Sequence, residues 1–530
     1  MAASFVAWQA WPVAVDLGGG RSLDPITRGC ALDPSILTTI ERGHFPGRSE
    51  DVTTVPTEPN YLGSFEVTSH SGPWDYLQRV PLVVYGPRRV PSLGPLEEEG
   101  VTLADVYPTV EDWTQVELGD RAGTSMTEAV IARRTPPKLL VFVMWDGVGR
   151  NVLERWPGRW PNLERLEAEG VSYVNATVGS SPSITPSTHA TLGAGAFPNE
   201  HGISGIQYRG RSGRIKVAFG LRDPSDMEVT TFADDFDLAL DNEPKVGLVG
   251  LRIWHMPMMG HGAAVEGGDK DQLVIIGFEG RVSGNRDLYR TPRYLDGFAG
   301  LDERVAELDR ADGVSDGRWR DHEIVAEHDN PAWTRYQTDV LLEMLRREGY
   351  GRDPVTDLFF VNYKMTDIVG HQYSMDSEEM GDVLEAQDDA LGEILSFLDT
   401  NVKDYALVVS ADHGHTPSPQ RSGGWPISQD ELERDLNRAF GVPEGATLTE
   451  AITAVGPFLD PAVLAETGTT EADVARFLNG YTIRENWRNE DLPEAYRDRG
   501  DEPVFEAAFP SDELDEVMQC ASDPGPTATP

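Results

Sequence analysis

The sequence predicts an α/β fold, with a mostly parallel central sheet flanked by helices on both faces. Three observations carry that expectation. Short apolar runs rich in β-branched residues recur, each bounded by turn residues, as strands buried on both faces require. They fall at 79–86, 138–146, 245–254, 272–278, 357–363 and 405–412. Stretches of helical period lie between or beside them, at 162–170, 334–349 and 378–399. Strand and helix therefore alternate, the order that builds parallel sheets through crossover connections.

Taken along the chain of 530 residues, these elements divide it into three parts. Residues 136–425 read as the α/β core. Within it, the stretch from about 205 to 330 is richer in Gly, Asp and Arg and less regular, and reads as an inserted cap over the sheet edge. Residues 426–530 read as a helical segment, with DELERDLNRAF and EADVARFLNGY its best helices, returning to the N-terminal part and ending in a disordered tail, SDPGPTATP. Residues 1–135 read as a segment completing the core. No internal repeat is visible.

Bulk properties narrow the function. Hydrophobic residues make up 39% and charged residues 25%, a globular composition rather than a disordered or fibrous one. The net charge is −43, from 45 basic and 88 acidic side chains. Such a surface repels a phosphate backbone and argues against binding nucleic-acid duplexes. A small anionic substrate then needs local cations to enter. Cys30 and Cys520 are too few for a disulfide framework or a thiolate metal site, and their spacing leaves open whether they meet. The N-terminal stretch has no basic n-region and reads as folded structure rather than a signal peptide. No apolar run approaches the roughly 18 residues of a membrane span, so no membrane association and a cytoplasmic location are expected.

The chemistry lies where strands end. Ligands bind outside the carboxyl ends of strands in open α/β sheets, and three predicted strands end in, or soon lead to, an aspartate: Asp146, Asp367 and Asp412. Asp412 and His413 form a D-H-G step, a carboxylate beside an imidazole, which suits a borderline divalent ion such as zinc. Asp367 and His371 stand four apart, on one face of a helical turn, a half-site for a second ion. Asp146 opens a Gly-rich turn, W-D-G-V-G-R. Residues 180–205 carry hydroxyls, glycines, His189 and His201, and include Thr185, whose hydroxyl becomes a nucleophile only when its pKa is lowered, as by a metal. Each motif alone has an ordinary reading as a helix cap, a turn or a surface loop. Three carboxylates on one edge repel one another, and bound cations would relieve the conflict.

In this order, D-G, then T-P-S-T-H-A-T-L-G-A-G-x-x-P-x-x-H-G, then D-x-x-x-H, then D-H-G, the motifs closely resemble the alkaline phosphatase superfamily, nearest its nucleotide pyrophosphatase/phosphodiesterase branch. The resemblance covers at least residues 138–417. It implies Thr185, four residues before His189, as nucleophile. It implies one zinc held by Asp146, Thr185, Asp412 and His413, and a second held by Asp367, His371 and one further histidine. One zinc would deprotonate and aim Thr185 to form a phospho-threonine intermediate; the other would stabilise the leaving oxygen and activate the hydrolytic water. Gln207 is the amide nearest the position where the branch has a phosphoryl-binding Asn. His189 and His201 are expected to brace the nucleophile loop rather than bind metal.

That further histidine normally follows D-H-G near the C-terminus, yet no His follows His415 here. Either the site is incomplete, or His415 serves, or the ligand comes from elsewhere. The segment 66–87, followed by 100–110, resembles the family's C-terminal piece, so the chain reads as circularly permuted, with His70 completing the second zinc site. The activity implied is hydrolysis of phosphodiester or pyrophosphate bonds in a small phosphate-containing substrate. The alternatives are a phosphomonoesterase, a mutase-like or phosphonate-cleaving relative, and a non-catalytic phosphate- or metal-binding protein. A sulfatase is disfavoured because no C/S-x-P-x-R pattern is present. The ester preference turns on what faces the metals: Arg209, Arg211, Arg214, Lys216 or Arg252 would favour a monoester, whereas Trp254, Met256 and Met258 would favour a nucleoside or aryl group. Oligomeric state is not readable.

Overall fold

The computed structural model of the chain describes residues 23–63, 67–131, 135–251, 256–324 and 329–522. Arg252, Trp254 and nearly all of the expected tail fall outside them. A nine-stranded sheet lies at the centre. In chain order its strands are β1 (Leu82–Tyr85), β2 (Gly94–Leu96), β3 (Leu139–Trp145), β4 (Val171–Tyr173) and β5 (Val246–Leu251). There follow β6 (Gln272–Ile276), β7 (Val282–Ser283), β8 (Asp357–Tyr363) and β9 (Tyr405–Ser410). Across the sheet the order is β7-β6-β5-β8-β3-β9-β1-β4-β2. The five strands from β6 to β9 run parallel, and β7 and β1 pair antiparallel at either side of that block. The fold is thus the mixed, mostly parallel α/β sheet that the alternating sequence predicts.

The helices that matter for the site are α1 (Pro161–Glu169), α2 (Thr185–Ala194), α3 (Phe232–Ala239), α4 (Pro331–Glu348), α5 (Met365–Tyr373) and α6 (Glu378–Phe397). Local chemistry sets their ends. Asn330 accepts from the Ala332 amide ahead of Pro331, and Gly349 closes α4 with a φ of 71°. Every residue of β3, β8 and β9 is buried, which is why these strands read as unbroken apolar runs. Phe142 of β3 stacks on Phe360 of β8 at 4.8 Å between ring centres, and Phe232 of α3 closes on both. Each such ring, fully buried, contributes about 2–3 kcal/mol.

Two expectations change. The 205–330 stretch supplies β5, β6 and β7, so at that end it is part of the sheet rather than an addition over its edge. Residues 426–515 contain the expected helices, Gln429–Ala439 and Glu471–Gly480, but are not simply helical. They also form a hairpin of Thr449–Thr453 with Gly456–Leu459. Phe505–Pro510 pairs with Val52–Pro56, and Pro426–Ile427 with Tyr61–Leu62. These strands are short and, the hairpin apart, their pairing partners lie hundreds of residues away, so periodicity within a local window does not reveal them. Together they build a second hydrophobic cluster that includes Val52, Leu62, Trp425 and Phe505. Cys30 and Cys520, 490 positions apart, are joined by a disulfide. Among the described residues no helix is long and apolar enough to cross a membrane.

Candidate active site

Three adjacent parallel strands, β8, β3 and β9, deliver the acidic residues to one edge. Asp146 directly follows β3, Asp412 and His413 follow β9, and Asp367 sits in the first turn of α5, just after β8. The turn after Asp146 requires glycine. Gly147 has a φ of 75°, and a Cβ there would lie 2.7 Å from His415 Nε2 and 3.1 Å from the Asp367 backbone. Its amide donates to Asp412 Oδ1 at 2.9 Å, tying the β3 turn to the carboxylate that follows β9.

All seven residues expected at the site converge. Thr185 is the first residue of α2, and its Oγ1 lies 3.4 Å from Asp146 Oδ1 and 3.4 Å from His413 Nε2. His371 Nε2 lies 3.3 Å and His70 Nε2 3.4 Å from Asp367 Oδ1. The His70 ring stacks on His413 with centroids 3.5 Å apart. Backbone carbonyls aim these rings: His371 Nδ1 pairs with Thr68 O at 2.9 Å, His70 Nδ1 with Ser183 O at 3.2 Å, and His413 Nδ1 with Gly414 O at 3.0 Å. In each ring Nε2 is left toward the carboxylates, the arrangement that orients metal-binding histidines. His415 also reaches Asp367 Oδ1, at 3.7 Å, so it joins the cluster alongside His70.

The donor set fits divalent ions. Ligand atoms of His70, Asp367 and His413, and of Asp146, Asp412 and His413, form two groups whose members lie within 4.8 Å of one another. Asp367 Oδ1, Asp412 Oδ2 and both ring nitrogens of His415 are buried without a hydrogen-bond partner among the described residues. Burial holds His70 down to about 3 and pushes His413 and His415 well below the usual range, so these imidazoles are neutral and ready to ligate. Burial pushes Asp146 up, with Asp412 adding to it, and raises Asp412 to about 6. A bound cation reverses that cost.

One cation belongs to the chain. Lys364 Nζ lies 2.8 Å from Asp146 Oδ1, 2.8 Å from Asp367 Oδ2 and 3.1 Å from Thr185 Oγ1. The crowding of three carboxylates is therefore partly met by an ammonium, and not by metal alone. Sequence reasoning missed it. The signal was its place three residues before Asp367, one turn along the same face. Asn362 of β8 was missed too: its Nδ2 donates to Asp146 Oδ2 at 3.1 Å and lies 2.5 Å from His189 Nε2. His189 Nδ1 meets Thr185 O at 2.9 Å, and His201 Nε2 meets Thr191 Oγ1 at 3.2 Å.

Beside His70 and His371 opens a cavity of about 330 Å³. Gln207 lines it, with Leu62, Pro182, Ile184, Ile206 and Val455 as apolar wall and Glu50 as the one carboxylate among the described residues. No Lys or Arg lines it among the described residues. The cationic candidates face elsewhere: Arg209 pairs with Asp51 and Glu450, Arg211 with Glu228, and Lys216 with Asp226. Arg214 is exposed and does not line the cavity. Met256 and Met258 are buried in the hydrophobic core rather than set in the cavity wall.

A mostly parallel α/β sheet whose strand ends gather carboxylates and neutral imidazoles about a threonine hydroxyl defines a metal-dependent phosphohydrolase of the alkaline phosphatase superfamily. The chain belongs to the type I phosphodiesterase / nucleotide pyrophosphatase family, whose model matches residues 140–498. It is similar to a protein named calcium-transporting ATPase from Myroides odoratus, 25% identical over 379 residues, covering 58% of this chain and 67% of that one. It is also similar to the alkaline phosphatase PafA from Elizabethkingia meningoseptica, 21% identical over 405 residues, covering 64% and 72%. A crystal structure of wild-type PafA superposes with a TM-score of 0.48 at 17% identity, covering 71% of this chain and 85% of that one.

Proposed function

We propose that the enzyme cleaves phosphodiester or pyrophosphate bonds of a small substrate, with Thr185 as nucleophile and two zinc ions as cofactors. Asp146, Asp412, His413 and Thr185 would hold one ion, and Asp367, His371 and His70 the other. The observation that carries the reading is the position of Thr185 Oγ1, at the positive end of a ten-residue helix and 3.1–3.4 Å from Lys364, Asp146 and His413. Bound zinc would supply Lewis-acid stabilisation of charge on the phosphoryl oxygens and on the attacking and leaving oxygens. The side chains do the rest. The Thr185 hydroxyl gives its proton to solvent, Lys364 Nζ hydrogen-bonds the alkoxide this leaves, and Oγ1 then forms a bond to phosphorus as the bond to the leaving oxygen breaks, that oxygen departing with the electron pair and taking a proton from water. Water later cleaves the Thr185–phosphorus bond and restores the hydroxyl. Gln207, in the cavity wall beside His70 and His371, would meet a phosphoryl oxygen or the group beyond it.

The mostly apolar cavity, with no Lys or Arg among the described residues that line it, supports a singly charged diester over a doubly charged monoester. A monoesterase is the second reading, favoured by the sequence likeness to PafA. Turnover of bis-p-nitrophenyl phosphate and p-nitrophenyl phosphate, with and without chelator, separates the two. The proposal expects chelator-sensitive turnover with the diester faster. Chelator-sensitive turnover with the monoester faster installs the second reading, and no sensitive turnover of either removes both.

The convergence of His70 with Asp367 and His371, and the antiparallel pairing of β1 with β9, support the circularly permuted order. The Cys30–Cys520 bond weighs against the cytoplasmic expectation, since cytosolic thiols are kept reduced, and supports an oxidising compartment.

A further inference from the structure

Away from the catalytic edge, the carboxylates of Asp237, Asp269 and Asp271 come together, with ligand oxygens all within 4.8 Å of one another. Asp237 lies in the last turns of α3, while Asp269 and Asp271 sit in the loop that leads directly into β6. Because Asp271 precedes β6, the cluster lies at the amino-terminal edge of the parallel strands, opposite the edge that carries Thr185. Asp237 and Asp271 are only 5% and 7% exposed, whereas Asp269 opens to solvent.

Acidic clusters are common, but this one has little of what normally excuses burial: the Gly262 amide hydrogen-bonds Asp271, and no cation is paired with the cluster among the described residues. Asp237 Oδ1 is buried with no hydrogen-bond partner, and no ion pair reaches any of the three carboxylates among the described residues. The intervening Lys270 turns away, its Nζ donating to Arg286 O at 2.7 Å. Nearby Asp234 shows the contrast, being met by His261 Nδ1 at 2.9 Å and by the Thr231 amide at 2.7 Å. Burial, with the charge of Asp269 added, raises Asp237 to about 7, and burial pushes Asp271 well above the carboxylate range. Burying such carboxylates without a counter-charge is unfavourable, and a bound cation would relieve it.

We propose that Asp237, Asp269 and Asp271 form a structural site for a hard alkaline-earth cation, calcium or magnesium, that pins the loop before β6 to the end of α3. The donors are all oxygen, without imidazole or thiolate, the preference of these ions over zinc. The D-x-D spacing of Asp269 and Asp271 brings two ligands from one loop turn, the buried Asp237 closes the far side, and the exposed side at Asp269 admits water to complete the shell.

The test is calorimetric titration of Ca²⁺ and of Mg²⁺ into zinc-loaded, full-length protein, wild type against the double variant Asp237→Asn/Asp271→Asn. The wild type should bind one of these ions per chain and melt at a higher temperature with it. The double variant should bind at least about tenfold more weakly, lose the melting response and keep its zinc-dependent turnover. Asp269→Asn, at the exposed position, should weaken binding in the same direction without disturbing the buried pair, so a misfolded double variant leaves the test intact. Absence of binding of both ions by the wild type overturns the site, as does unchanged binding in a folded double variant or in Asp269→Asn.

Discussion

Lys364→Met removes a cation that the site holds permanently, and its effect should depend on whether metal is present. The ammonium lies 2.8 Å from a carboxylate oxygen of Asp146 and 2.8 Å from one of Asp367. At an effective dielectric near 20 each pair attracts by about 6 kcal/mol. Against this stands the desolvation of the ammonium, several kcal/mol, and breaking one side of a buried pair typically costs about 3–5 kcal/mol net. In chelator, the variant should lose that amount, because Asp146, Asp367 and Asp412 then face one another without a counter-charge. At saturating zinc the loss should shrink to about 1 kcal/mol, bound cations having taken over the neutralisation. Turnover should still fall. Thr185 Oγ1 loses a charged donor at 3.1 Å, worth about 1.5–3 kcal/mol, or roughly 10- to 100-fold in rate. Denaturant melts with chelator and with zinc, beside kcat/KM at saturating zinc, read all three. Unchanged stability in chelator together with unchanged turnover would refute the role of Lys364, and an equal stability loss in both media would refute the shared neutralisation.

Other outcomes follow from the same geometry. His70→Ala should cost at least about 100-fold in zinc-dependent turnover, as should His371→Ala, because each would remove a ligand from the Asp367 group; His415→Ala abolishing activity while His70→Ala leaves it intact would transfer the ligand role and end the permuted reading. Glu50, buried in the cavity wall, is raised by burial to about 7 from an ordinary 4.5. Its protonated form is favoured on folding, so stability falls as pH rises from about 4.5 to about 7 and stays low above. Glu50→Gln should therefore match the wild type near pH 4 and exceed it at pH 8 by about 3 kcal/mol, while removing the rise in KM for an anionic substrate that Glu50 ionisation causes above pH 7. A pH-independent stability difference would contradict this. Gly147→Ala should cripple turnover, since its Cβ meets His415 and the Asp367 backbone at a positive φ; a variant with normal kcat/KM would show that the turn is not held as described.

Much of this was legible because the motifs are local. Asp146, Asp367 and Asp412 announce themselves by standing at the ends of apolar runs, and α5 presents Asp367 and His371 on one face by simple helical spacing. His70 was legible only through likeness of its flanking segment, since nothing in S-H-S reports an aspartate 297 positions on; its role is written in the tertiary pairing of β1 beside β9. Lys364 escaped because its signal, a place three residues before Asp367, is one that many surface lysines share. The strands at 449–459 and 505–510 escaped because each is short and paired with, or folded against, segments remote in the chain. The Cys30–Cys520 bond is of the same kind, closing a separation of 490 residues that no spacing rule decodes. The strands β5 and β6 were read as strands, yet the Gly-, Asp- and Arg-rich loops around them made the whole 205–330 stretch resemble an addition to the sheet.

The central claim is that the Thr185 oxygen is the atom that bonds phosphorus. Zinc-loaded enzyme mixed with bis-p-nitrophenyl phosphate and quenched in acid within one turnover should yield a peptide spanning 180–205 heavier by one p-nitrophenyl phosphoryl group, with the modification mapped by fragmentation to Thr185 and absent from Thr185→Ala. Full turnover with no such adduct, or with Thr185→Ala retaining wild-type rate, would contradict it.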